Sequence, residues 1–144
     1  MENKNLIDIF KRSLAITTRS IGENKKAEIN YVTENPSING KQINLSLPSI
    51  STLKTKLNYI RGEADAMALE LRLHDSKIHL KYYGSNKTVN QIFNVIEQSR
   101  IEAKGSGIFK GTKSNIFNKH IIDINAKKSK EESNSIIDAF KYVS

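Results

Sequence analysis

Cysteine is absent from the 144 residues. That excludes a disulfide framework, an iron–sulfur centre, a thiolate zinc site and a cysteine nucleophile. Long apolar runs are absent too: the longest span a few residues, against the ~18 needed to cross a bilayer. The opening Met1-Glu-Asn-Lys-Asn-Leu6 passes at once into charged amphipathic sequence and holds no apolar signal core. A cytoplasmic protein with no membrane contact is the expectation. Arginine is scarce: five of the 23 basic residues are Arg and 18 are Lys.

What is present reads as one folded unit. Apolar residues make up 38% and charged residues 26%, the balance of a globular chain and not of a disordered one. At this length roughly 68–70% of the surface exposed by the unfolded chain can be buried, so one domain spanning 1–144 needs no staple. The formal charge of +8 first points to an anionic partner. Its makeup argues otherwise, because specific phosphate and base readers lean on the arginine fork. Lys, Ile and Asn supply 53 residues, the signature of AT-rich codons filling exposed sites with lysine. Nucleic acid is therefore not the expected partner.

The hydrophobic periods predict a mainly α (α+β) fold, a helical domain with a small two-stranded β-hairpin near the N-terminus. Leu6, Phe10, Leu14 and Ile21 mark one stripe of a first helix over 4–21, with Ile9 beside it and Thr18 on another face. Gly22 stands where a left-handed C-cap would sit. The segments 27–32 and 42–47 alternate apolar and polar and read as paired strands, with a turn-rich connector between them. Pro48 closes the second strand. Ser49 or Ser51 can cap a long helix over 52–73 that begins amphipathic and turns apolar on two sides, as a helix entering the middle of a domain does. A polar loop over 74–84 leads to a helix over 88–104, with Thr88 and Gln91 as a capping box. Gly105-Ser-Gly107 should end that helix. A loop to Ser114, a short helix over 115–125, a charged link over 127–132 and a last helix with Ile136, Ile137, Phe140 and Val143 complete the expected order.

No catalytic constellation follows from spacing. The stretch from Gly105 to Lys113 fails as a phosphate loop, since its glycines are misplaced and it follows a helix, not a strand. His74 and His79 are five apart, the wrong interval for a His-Glu-x-x-His zinc helix. With Asp75 they leave metal coordination by a loop open, but contacts at the helix terminus are the favoured reading, and no metal ligand is assigned. Arg61 with Asp65, Arg72 with Asp75, and Glu97 with Arg100 stand at helical pairing intervals. Glu97 and Glu102 have no evident catalytic companion.

The run Arg61-Gly-Glu-Ala-Asp-Ala-Met-Ala-Leu-Glu-Leu-Arg-Leu-His-Asp75, then His79 and Gly84, closely resembles the amino-terminal region of the CobT-type subunit of aerobic cobaltochelatase. The likeness continues through Phe93-Asn-Val-Ile-Glu-Gln-Ser-Arg-Ile-Glu-Ala-Lys-Gly105 and covers about 10–115. It implies a non-catalytic assembly or regulatory subunit, supporting ATP-dependent insertion of cobalt into a corrin ring during cobalamin biosynthesis. The implied partners are an AAA+ ATPase subunit and a large catalytic subunit that holds the tetrapyrrole. ATP with magnesium, and cobalt, belong to the whole complex and no cofactor to this chain. Family members continue into an acidic linker and a von Willebrand A domain with an Asp-x-Ser-x-Ser site. That motif is absent here, so the sequence is expected to represent the first domain only. Arg61, Asp65, His74, Asp75, His79, Glu97, Arg100 and Glu102 fall on motif positions. With Arg72 they are expected to form one polar cluster between the long helix and the third helix, either a partner surface or a buried frame. The alternative is a degenerate metallopeptidase-like domain in an AAA+ remodelling complex outside cobalamin synthesis.

Overall fold

A computed structural model of the chain describes residues 1–129. The predicted last helix, and half of the charged link before it, lie outside the described residues; the other half is the end of α6. The order is α1 (Glu2–Ile21), β1 (Glu28–Val32), β2 (Ser37–Asn39), β3 (Gln42–Ser46), α2 (Ile50–Thr55), α3 (Leu57–Leu73), α4 (Ser76–Lys81), α5 (Lys87–Ile108) and α6 (Lys110–Ser129). The mainly helical class with a small β element is observed.

The strands exist, but not as a two-stranded hairpin. β1 and β3 run parallel, with Ile29 opposite Ile43 and Tyr31 opposite Leu45. The supposed connector supplies β2, which pairs antiparallel with β3 and makes the sheet order β1-β3-β2. The reason is local. Asn39, Gly40 and Lys41 form a tight turn in which Gly40 takes a φ of +57°, so Ser37–Asn39 folds back on β3 and fills the antiparallel edge. β1 is left the other edge, which it can join only in parallel after the connecting loop.

α3 is the axis of the molecule. Residues 62–66 are buried one after another, which requires neighbours on every side of the helix. On one side Ile60 and Ala64 pack with Leu14 of α1 and with Ile43 and Leu45 of the sheet. On the other, Ala66, Ala68 and Leu69 meet Ile21, Ile101 and Ile116. The fully buried Ile43, Leu45, Leu69 and Ile101 each contribute roughly 1.5–3 kcal/mol of transfer free energy. Tyr31 fastens the sheet to α1 by donating its hydroxyl to the Lys11 carbonyl at 2.6 Å.

Several helix boundaries depart from expectation, each for a packing reason. α1 keeps Leu14 and Ile21 inside but leaves Leu6 and Ile9 exposed. Thr18, expected on another face, is buried instead; its hydroxyl donates to the Leu14 carbonyl at 2.8 Å and so carries no unsatisfied polar atom inward. Gly22 is right-handed, and Glu23 takes the positive φ of 51°. A Cβ at Gly22 would stand 2.9 Å from Leu71 Cδ2, so the glycine serves the contact between α1 and α3. The long helix is interrupted at Lys56, and Ser49 with Thr52 forms a capping box for α2. Part of the expected polar loop is the single-turn helix α4. The cap of α5 is Asn86, which accepts from Val89 N–H at 3.1 Å, and not Thr88.

α5 runs straight through Gly105-Ser-Gly107, and α6 begins at Lys110 and extends to Ser129. Gly105 marks a helix crossing: a Cβ there would collide with the Leu69 side chain, with Cγ at 2.8 Å. Gly62 does the same for α6, where a Cβ would strike the Asn115 carbonyl, its carbon at 2.8 Å.

Candidate functional site

The expected single cluster resolves into three polar groups strung along α3. The first lies at its C-terminal end. Glu97 of α5 accepts two hydrogen bonds from Arg100, from Nε at 2.7 Å and from NH2 at 2.8 Å. It also lies 3.1 Å from His74 Nδ1. These partners, Arg100 first, hold the Glu97 carboxyl down at about 2 despite partial burial, and the same pairing raises the Arg100 guanidinium. Arg100 donates further to the Leu73 carbonyl at 3.2 Å, satisfying one of the orphan acceptors at the α3 terminus.

His79 projects from α4 into the same end. Its ring stacks on Phe93 with centroids 4.6 Å apart and meets the His74 ring edge-on at 4.9 Å. His79 Nε2 lies 2.9 Å from Asn94 Oδ1, and Asn94 Nδ2 donates to the Tyr83 hydroxyl. Those directions make Nε2 the protonated nitrogen and leave Nδ1 buried with no protein partner. Asp75 does not reach Arg72. It caps α4 by accepting from Lys77 and Ile78 N–H. Arg72 turns to the end of α1, where it donates to the Ile21 carbonyl and meets Glu23 of the following turn at 3.2 Å, and it lies over the Phe109 ring.

The second group is Asp65, buried beside α6, where its Oδ2 accepts from Asn115 Nδ2 at 2.8 Å. Burial raises its carboxyl, opposed by that hydrogen bond and by the charge of Arg61. Arg61 itself is exposed and forms no close ion pair with Asp65, so the i,i+4 pair read from spacing does not form. The third group faces a cleft of about 600 Å³ between α3, α5, α6 and the tip of β2. There Glu102 accepts from Gln98 at 2.9 Å and lies 2.7 Å from His120 Nε2. Glu70 beside them is raised by burial and by the Glu97 and Glu102 charges, while His74 and His79 pull it down. Asp123 binds Lys119 at 2.6 Å and accepts from the Tyr59 hydroxyl, which burial and that bond push up.

Thus the structure gathers His74, His79, Glu97 and Arg100, sets Asp65 and Glu102 apart from them, and places Arg61, Arg72 and Asp75 elsewhere. Sequence reading left Glu63, Glu70, Asn94, Asn115 and His120 out of the site. Glu63 is buried and binds both the N–H and the hydroxyl of Ser46, at 2.7 and 2.9 Å. The seven-residue spacing of Glu63 and Glu70, two turns on one face of α3, was the available signal. His120 and Glu102 are 18 residues apart on separate helices, so no local pattern could join them.

Chemically, these groups neutralise and orient one another. Among the described residues no three His, Cys, Asp or Glu side chains come together as a metal site. Gly105 and Gly107 lie inside α5 and not in a loop. No described helix is long and apolar enough to cross a membrane. No solved structure matches the chain. A family model described as "cobalamin biosynthesis protein CobT" matches residues 4–138. A match across nearly the whole sequence, including both polar runs whose side chains meet between α3 and α5, shows that the chain belongs to the CobT family.

Proposed function

We propose that this chain is a non-catalytic assembly subunit of an ATP-dependent cobaltochelatase. Its family implies a role in cobalamin biosynthesis. In this reading it acts in the cytosol, with an AAA+ ATPase subunit that turns over ATP and a large subunit that holds the corrin, and cobalt is the complex's substrate.

One observation carries the non-catalytic part. Asp65, Glu97 and Glu102 each commit the carboxylate to other side chains: Asn115, Arg100 with His74, and His120 with Gln98. Carboxylates bound in this way hold helices in register, and at Glu97 the partners that stabilise the charged form also weaken it as a base.

The test is reconstitution with the purified AAA+ and large subunits. The chain should bind the AAA+ subunit and raise cobalt insertion by the complex, while neither hydrolysing ATP nor inserting cobalt alone. Cobalt insertion by the isolated chain, or a complex equally active without it, would overturn the reading.

A further inference from the structure

The chain carries a formal charge of +8, yet the cleft of about 600 Å³ beside α3 is lined by four carboxylates against two lysines. Its walls are otherwise largely apolar, formed by Ile38 of β2, Ala66 and Met67 of α3, and Ile124 of α6. Two of the acids are accounted for: Asp123 is bound to Lys119, and Glu102 to His120 and Gln98. The other two have no close cation among the described residues. Glu63 is bonded by the neutral N–H and hydroxyl of Ser46, and Glu70 forms neither a hydrogen bond nor an ion pair. Burial pushes the Glu70 carboxyl up, and the Glu97 and Glu102 charges add to this against the pull of His74 and His79, as befits an acid short of counter-charge.

Glu63 and Glu70 stand on one face of α3, two turns and about 10 Å apart along its axis, with Ala66 and Met67 between them. The acids are therefore strung along the cleft and do not converge. Among the described residues no three ligating side chains meet at a point, so the arrangement suits an elongated cation and not a single metal ion. We propose that the cleft binds a linear aliphatic polyamine, with ammonium groups towards the Glu63 and Glu70 ends and the methylene chain along Met67 and Ile124. Apolar walls with a few placed polar groups are the pattern of a small-molecule site, and the volume is of that class. A peptide with basic side chains is the weaker occupant, because about 10 Å of cleft spans roughly three extended residues, too few to hold a segment by themselves. The proposal goes beyond the assembly role and does not depend on it.

Spermidine is the probe, titrated calorimetrically into the full chain in amine-free buffer at low and physiological salt. One molecule per chain should bind, with an affinity that falls as salt rises. Propane-1,3-diamine, too short to reach both ends, should bind about tenfold more weakly. Glu70→Gln should weaken spermidine about tenfold and, having no partner to lose, should melt at or above the wild-type temperature. Ile124→Lys sets an ammonium into the cleft from the facing helix and should weaken binding about tenfold or more, which keeps a second reading should either variant melt early. The control Asp8→Asn makes the same charge change as Glu70→Gln on α1, which lines no part of the cleft, and should leave binding nearly intact. Spermidine should raise the melting temperature of the wild type and of this control, and much less that of Glu70→Gln. No binding at millimolar spermidine, equal binding of the two amines, equal loss in the control, or displacement by equimolar magnesium would overturn the proposal. So would a blocked Lys-Leu-Leu-Lys peptide that binds more tightly than spermidine and loses its affinity with Glu70→Gln, since the occupant would then be a protein segment. None of these measurements involves the AAA+ subunit, so failure here leaves the assembly role standing.

Discussion

Glu97 and Asp65 are carboxylates on motif positions, and their surroundings push them in opposite directions. Glu97 is held at about 2, below the ordinary 4.5, chiefly by the Arg100 hydrogen bonds. Its folded-state pKa is depressed, so its contribution to stability is present above about 4.5 and is lost as the pH falls towards about 2. Arg100 is half exposed, and screening limits the contribution to on the order of 1–2 kcal/mol. Glu97→Gln should remove that much at neutral pH and flatten the stability profile over the same acid range, read by urea denaturation at a series of pH values. Asp65 is raised by burial, so the fold prefers it neutral; its contribution is fullest below the unfolded pKa and declines as the pH rises through the folded one. Asp65→Asn, which can still accept from Asn115 without burying a charge, should be near neutral or stabilising at pH 7. Asp65→Ala leaves the buried Asn115 amide without its acceptor and should cost about 1–3 kcal/mol. Together the two substitutions separate the hydrogen bond from the charge.

At the scale of elements, the helical glycines are informative because their surroundings differ. An alanine in a helix interior is intrinsically favoured over glycine by about 1 kcal/mol. At Gly107 nothing stands within reach of an added Cβ, so Gly107→Ala should raise stability by up to that amount. At Gly105 the Cβ meets Leu69, and at Gly62 it meets the Asn115 backbone, so both alanine variants should lower stability, by roughly 1–3 kcal/mol before the propensity gain is credited. Thermal melts of the three variants provide the check, and the order Gly107→Ala above wild type above the other two is the expected outcome. Gly62→Ala should be the worse tolerated of the pair, because a backbone carbonyl cannot rotate away as a leucine side chain can. This explains why Gly105-Ser-Gly107 reads as a helix end in sequence yet lies inside α5. Glycine as terminator and glycine as crossing point are the same letter, and only the neighbouring helix distinguishes them.

At the scale of the whole molecule, α3 joins two apolar clusters, and Glu63 is the polar tie between that axis and the sheet. Its carboxylate answers the Ser46 N–H and hydroxyl at a buried site, where charge-assisted bonds are worth the most. Glu63→Ala should cost about 2–3 kcal/mol, and hydrogen exchange should show protection lost first in β1 and β3 while α5 keeps its own. Retained protection across the sheet would show that apolar contacts alone hold it to α3.

The division between what was legible in the chain and what was not follows from range. Periodicity and end signals located α1, the strand segments, the axial helix and α5, because amphipathic spacing and caps act within a few residues. They also marked α3 as a helix surrounded on two sides, and the two polar runs marked its family. Spacing proposed the pairs Arg61–Asp65 and Arg72–Asp75, and neither forms; Asp65 instead meets Asn115, fifty residues away. The parallel pairing of β1 with β3, the passage of α5 through its glycines, and the joining of Glu102 to His120 likewise depend on residues distant in sequence. The sequence by itself determined that α1, β1, β3, α3 and α5 form and roughly where, since local sterics and hydration act over a few residues. Tertiary structure alone decided which polar groups meet, because burial obliges each to find whatever partner the packing brings within hydrogen-bonding distance.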